Sequence, residues 1–69
     1  MTQKEKILDY INRFGSISPF EAFRDLGITK LASRISEIIR DGVDIEKTLE
    51  KSKNRFGEPV CYMRYSMRA

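Results

Sequence analysis

Apolar residues in this chain fall into patches separated by glycine. Ile7, Leu8, Ile11 and Phe14 recur at three- and four-residue spacing, the period of one helix face. Thr2-Gln3-Lys4-Glu5 precedes them as a capping-box pattern, and Gly15 follows them. The pattern predicts a first helix over about 3–14. Ser16-Ile17 is a short extended link, one rung of a strand. Ser18-Pro19-Phe20-Glu21 is a second start signal, with Ser as N-cap, Pro at the first helical position and Glu at the third. A short second helix over about 19–26 follows, with Ala22, Phe23 and Leu26 as its buried face and Gly27 ending it. Ile28 bridges to Thr29, a candidate N-cap. Leu31, Ala32, Ile35, Ile38 and Ile39 then form an apolar stripe, which predicts a third helix over about 30–41. Lys30, Ser33, Arg34, Glu37, Arg40 and Asp41 take its opposite face. The expected core joins Phe23, Leu26, Ile35 and Ile38 to Ile7, Ile11 and Phe14.

After Gly42 the period changes to two. Val43 to Lys47 alternates, with Leu49 back in phase, as a strand does. Asn54-Arg55-Phe56-Gly57-Glu58-Pro59 reads as a loop, and Val60 to Met67 is rich in strand formers. Together they predict a β-hairpin over about 43–67. Helix, link, helix, tight turn, helix, hairpin is an α+β order. Three helices followed by a two-stranded wing is the order of a small winged helix-turn-helix, here a single domain over residues 1–69.

Composition narrows the chemistry. The chain has 69 residues, no histidine and one cysteine, Cys61. An intramolecular disulfide is impossible, and a Ser-His-Asp or Cys-His machine is excluded. A Cys/His zinc site lacks ligands. No paired acid/base constellation or Gly-rich phosphate loop is recognisable. The expectation is a protein that is not an enzyme, with no cofactor and no metal. No apolar run is long enough to span a membrane, and the polar start leads into no signal-peptide core. A cytoplasmic protein with no membrane partner is expected. Cys61 is expected to pack within its strand, and Tyr62 and Tyr65 to close the core or cover the sheet.

The formal net charge is +3, which by itself says little about nucleic acid. Its distribution says more: Lys51-Ser52-Lys53-Asn54-Arg55 holds three cations and no anion. Alternation puts Lys51, Lys53 and Arg55 on one side if the strand extends that far. These residues can track phosphates beside a groove, or they can form a solvated tip that discourages strand aggregation. The segment from Phe23 to Ile35 has the layout of a helix-turn-helix. Thr29, Lys30, Ser33 and Arg34 at the start of the third helix suit phosphate oxygens and major-groove edges. The same segment is equally readable as a helical hairpin with a solvated polar face. Arg34 also stands three residues before Glu37, at the spacing of an intrahelical pair. Phe56 beside Gly57 is a candidate wing-tip anchor.

Leu26-Gly27-Ile28-Thr29-Lys30-Leu31-Ala32-Ser33-Arg34-Ile35, with Arg40-Asp41-Gly42-Val43 after it, resembles winged helix-turn-helix DNA-binding domains. The layout as a whole, including Gly15-Ser16-Ile17-Ser18-Pro19 and Lys53-Asn54-Arg55-Phe56-Gly57, resembles small winged-helix proteins of phage and prophage genomes. The resemblance covers about residues 4–67. It implies double-stranded DNA as partner, a role in transcription regulation, and binding through the third helix and the wing. The expected contacts are Thr29, Lys30, Ser33 and Arg34 from the helix, and Lys51, Lys53, Asn54 and Arg55 from the wing. The alternative is a protein-interaction module on the same scaffold, docking on a host or phage protein. A homodimer is a further expectation, with the first helix or the Val60–Met67 strand as its surface.

Overall fold

A computed structural model describes residues 1–68. Helix α1 spans Gln3–Phe14. Its start is fixed locally: Thr2 Oγ1 accepts from the Glu5 N–H at 3.1 Å, and the Glu5 carboxylate accepts from the Thr2 N–H at 3.3 Å. Ser18 and Glu21 repeat this reciprocal cap at the start of α2, Pro19–Glu21. The helix then widens into a π-helical turn, Ala22–Leu26. Gly27 closes it in the left-handed region at φ 68°, which suits a residue without a Cβ. The Ile28 N–H donates to the Ala22 carbonyl at 3.0 Å, seating Ile28 between the helices. Helix α3 follows at Leu31–Arg40. Strands β1 (Ile45–Lys53) and β2 (Pro59–Met67) pair antiparallel, in register from Ile45 opposite Met67 to Lys53 opposite Pro59. Ile17 adds one rung on the other edge of β2, exchanging two 2.8 Å hydrogen bonds with Tyr65.

Isoleucine builds the core. Ile7, Ile11, Ile17, Ile28, Ile35, Ile38 and Ile45 are buried, together with Tyr10, Ala22, Leu31 and Tyr65. Branched side chains with few rotamers pack the small space between three helices and the root of the hairpin at little entropic cost.

Several sequence expectations are corrected. Phe14 is 69% exposed: α1 runs past the core, so its last apolar position meets no covering element. Phe23 is 61% exposed. The i→i+5 turn inserts an extra residue relative to α spacing, so Ala22 takes the buried place and Leu26 is half-buried. Ala32 and Ile39 are exposed on the flank of α3, where Leu31, Ile35 and Ile38 alone reach the core. Thr29 is not the N-cap. Lys30 holds that place without a side-chain hydrogen bond, because Ile28 and Leu31 both enter the core and leave Thr29 and Lys30 as the exposed link between them. Leu49 and Cys61 are exposed, since the hairpin beyond Ile45 and Tyr65 leaves the helical body.

Candidate nucleic-acid interface

The exposed face of α3 is set by what its other face buries. With Leu31, Ile35 and Ile38 inward, the 3.6-residue period turns Ser33, Ser36 and Arg40 outward as one row. All three are exposed, as are Thr29 and Lys30 just before the helix. No side chain caps the start of α3, so its first N–H groups carry unsatisfied donor capacity and the positive end of the helix dipole. Arg34 lies elsewhere. Its guanidinium donates to Gln3 Oε1 at 2.9 Å and pairs with the Glu37 carboxylate. Lys4 and Asp41 join α1 to the end of α3 beside this pair, at 2.8 Å. The structure thus groups Thr29, Lys30 and Ser33 and turns Arg34 toward α1. Ser36 and Arg40 complete the outward row. Their i+3 and i+7 spacing from Ser33 was the sequence signal for them.

The wing has two chemically different faces. Because side chains alternate across a strand, Lys47, Leu49, Lys51 and Lys53 share one face of β1, opposite Tyr65, Met63, Cys61 and Pro59 of β2. The other face carries Glu46, Thr48, Glu50 and Ser52. Lysine and glutamate of the same strand therefore point apart. Arg55 falls in the turn after the strand, outside the alternation that relates Lys51 to Lys53. Asn54 is committed to the turn itself. Its Oδ1 accepts from the N–H groups of Phe56 and Glu58 at 2.9 and 3.0 Å. Its Nδ2 donates to the Glu58 carboxylate at 3.3 Å.

Arg64 ties the wing to the helix-turn-helix, a role that no local sequence pattern marks. From the glutamate face of the ribbon, its Nε donates to Glu50 Oε1 at 2.8 Å. Its Nη1 donates to Glu21 Oε1 at 2.8 Å and to Ser16 Oγ at 3.0 Å. Glu21 is also the carboxylate that caps α2, and Glu50 accepts the Tyr62 hydroxyl at 2.9 Å. One half-buried guanidinium thus joins both strands to the start of α2.

These pairings sort the cations. Of 13 Lys and Arg, Lys4, Arg13, Arg24, Arg34, Arg64 and Arg68 have a carboxylate partner within 4 Å. Among the described residues, the others are Lys6, Lys30, Arg40, Lys47, Lys51, Lys53 and Arg55. All but Lys6 belong to the α3 segment or the wing.

A separate aromatic surface covers α1 and α2. Phe14 packs against Tyr10, the two rings tilted by 48° with centroids 4.6 Å apart. The Tyr10 hydroxyl donates to Asp25 at 2.6 Å, Asp25 receives Arg24 at 2.7 Å, and Arg24 lies over the Phe20 ring at 5.3 Å. Arg24 and then Tyr10 donate to Asp25 and hold its carboxyl at about 2. The same contact, followed by burial, pushes the Tyr10 hydroxyl up. A cleft of about 440 Å³ opens here between Met1, Tyr10, Phe14 and Leu26. Among the described residues, no group of three or more His, Cys, Asp or Glu side chains is placed to hold a metal ion. Among the same residues, no helix is long and apolar enough to cross a membrane.

Comparison with protein families gives a match over residues 2–69 to a winged helix-turn-helix domain. Comparison with curated proteins gives no match, and neither does comparison with solved structures.

Proposed function

The chain belongs to the winged helix-turn-helix family, and from that premise we propose that it is a non-catalytic protein that binds double-stranded DNA. The start of α3 enters the major groove through Thr29, Lys30 and Ser33, with Ser36 and Arg40 along the same row. Arg34 joins them when the groove's acceptors replace Glu37 and Gln3. Lys51, Lys53 and Arg55 hold the adjacent backbone, and Asn54 acts by keeping the turn closed. The observation that carries this reading is the sorting of the cations: among the described residues, six of the seven without a carboxylate partner lie on the α3 segment or the wing. The resemblance in layout to phage and prophage winged-helix proteins supports a transcription regulator of that type, acting in the cytoplasm.

The test is fluorescence anisotropy on a mixed-sequence duplex across a salt series. Phosphate contacts release counterions, so log affinity falls with log salt by roughly 0.9 per contact. The expected slope corresponds to several contacts. Absence of salt-dependent binding overturns the reading and leaves the protein-interaction module.

The aromatic surface favours a second copy as a further partner. Phe14, Phe20 and Phe23 are each more than 60% exposed, on elements other than α3 and the wing. A homodimer through α1 and α2 leaves both α3 helices free for two half-sites. Sedimentation that finds a monomer even on a paired site disposes of this partner.

A further inference from the structure

Phe56 is 84% exposed, more than any other large apolar side chain of the described residues. It stands at the apex of the wing, where nothing packs on it, yet its backbone is held. The Phe56 N–H donates to Asn54 Oδ1, the Gly57 N–H to the Asn54 carbonyl at 3.0 Å, and the Asn54 N–H to the Glu58 carbonyl at 3.0 Å. Gly57 at φ 78° turns the chain directly after the ring. A closed turn that presents a bare phenyl ring is costly in water and already organised for insertion. Its surroundings say into what. Lys51, Lys53 and Arg55 precede it, and the one acid of the turn, Glu58, is engaged by the Asn54 amide. Cations around an apolar ring match a polyanion that has an apolar interior, which is stacked base pairs behind phosphates.

We infer that the wing tip is a wedge for double-stranded DNA. Phe56 enters between two base pairs from the minor groove, and Lys51, Lys53 and Arg55 hold phosphates on the approach. Side chains that insert in this way unstack one step and kink the duplex by about 20–90°. A flexible pyrimidine–purine step is the favoured target. The inference rests on the DNA-binding reading and adds a second kind of contact, in which the wing reads deformability while α3 reads base edges.

The experiment uses the whole chain and duplexes carrying 2-aminopurine at successive positions, a base whose fluorescence rises on unstacking, together with end-to-end energy transfer for the bend. The wild-type protein is expected to raise the fluorescence several-fold at one or two adjacent positions and to shorten the end-to-end distance. Phe56→Ala, which touches no packed group, is expected to bind about tenfold more weakly, with an unchanged salt slope and no 2-aminopurine response. Phe56→Leu is expected to restore part of that response. Asn54→Ala, which keeps the ring and opens the turn, is expected to reduce it. Salt-dependent binding with no responsive position, and with Phe56→Ala equal to wild type, overturns the wedge and leaves the DNA-binding reading standing. No salt-dependent binding at all overturns both. Loss of vesicle binding by Phe56→Ala with no change on DNA assigns the tip to an anionic membrane and also overturns the wedge.

Discussion

The helical body and the outer wing are built to opposite rules. In the body two helix starts carry reciprocal caps, and seven isoleucines share one small core. From Lys51 to Cys61 every residue of the wing is exposed. Strand pairing and the turn held by Asn54 are the architecture there, and the other side chains are left over for other uses. The contrast teaches where to look for stability and where to look for binding. Apolar residues in the body are mostly there to be buried; Leu49, Phe56 and Met63 on the wing are not.

The largest expected effect breaks the body side of this contrast. Ile35→Ala should destabilise the fold by roughly 2–5 kcal/mol, much of the total for a domain of this size. Leu49→Ala should change stability by less than about 0.5 kcal/mol. Urea midpoints for the two variants decide the matter. An equal loss in both would mean that the ribbon contributes to the core.

Arg64 is the joint between the two regions, so its removal comes next. Arg64→Met leaves Glu21 and Glu50 without their shared cation. Hydrogen bonds to charged groups are worth roughly 1.5–3 kcal/mol when shielded, and the partial exposure of all three groups lowers the expected loss to about 1 kcal/mol. The more specific outcome is geometric. A spin label on Cys61, the one cysteine of the chain, paired with one at an Asn12→Cys site on α1, should give a broader distance distribution in Arg64→Met. Arg64→Lys should leave the distribution partly broadened, because an ammonium lacks the planar fork that meets two carboxylates at once. A distribution unchanged in both variants would show that strand pairing alone orients the wing.

What the sequence made legible follows the same division. The two capping boxes are contained within four residues each, and the Leu31, Ala32, Ile35, Ile38, Ile39 stripe keeps helical spacing, so local rules were enough to place the three helices, though not the cap of α3 or the π turn. The change to period two after Gly42 revealed the hairpin. Phe14 and Phe23 misled because periodicity says which way a residue points but not where the core ends, nor that a π turn changes the angle per residue. The Arg64 clamp was out of reach: its partners lie 14, 43 and 48 positions away. For the candidate interface, residue types near the right elements were visible, and so was the Arg34–Glu37 spacing that the structure closes as an ion pair, while the contact of Arg34 with Gln3 and the engagement of Asn54 depend on side-chain geometry.

Within the proposed binding surface, recognition divides into two kinds. Replacing Lys53 and Arg55 together with alanine should weaken binding to all duplexes alike. It should lower the log–log salt slope by roughly 0.9 for each phosphate that the variant no longer neutralises. Arg34→Ala should instead reduce the preference for a cognate site over random DNA, since an arginine paired with guanine is worth about 1–3 kcal/mol of discrimination. Glu37→Gln, which removes Arg34's carboxylate partner, should strengthen binding. If Glu37→Gln leaves affinity unchanged, Arg34 belongs to the junction of α1 with α3 and not to the groove.

The smallest effect concerns acid. Asp25 sits at the C-terminal side of the π turn with Arg24 and the Tyr10 hydroxyl as donors, and its carboxyl titrates at about 2 in the folded chain, against 3.8 ordinarily. A carboxyl whose folded value is depressed binds its proton more readily when unfolded. Its contribution is therefore complete above the ordinary value and is lost as pH falls toward 2. Asp25→Asn removes that contribution at every pH. The stability difference between wild type and variant should be constant near neutrality, shrink from about pH 4 downward, and be mostly lost by about pH 2, where the folded carboxyl is half-protonated. Glu5, lowered by its Thr2 cap, titrates in the same direction in both proteins and cancels from the difference. Urea midpoints at half-unit steps between about pH 2 and pH 7 read this curve. A difference that persists unchanged at the acid end would mean that the Asn variant disturbs the packing of the π turn and that the Tyr10–Asp25–Arg24 chain carries no charge-dependent stability.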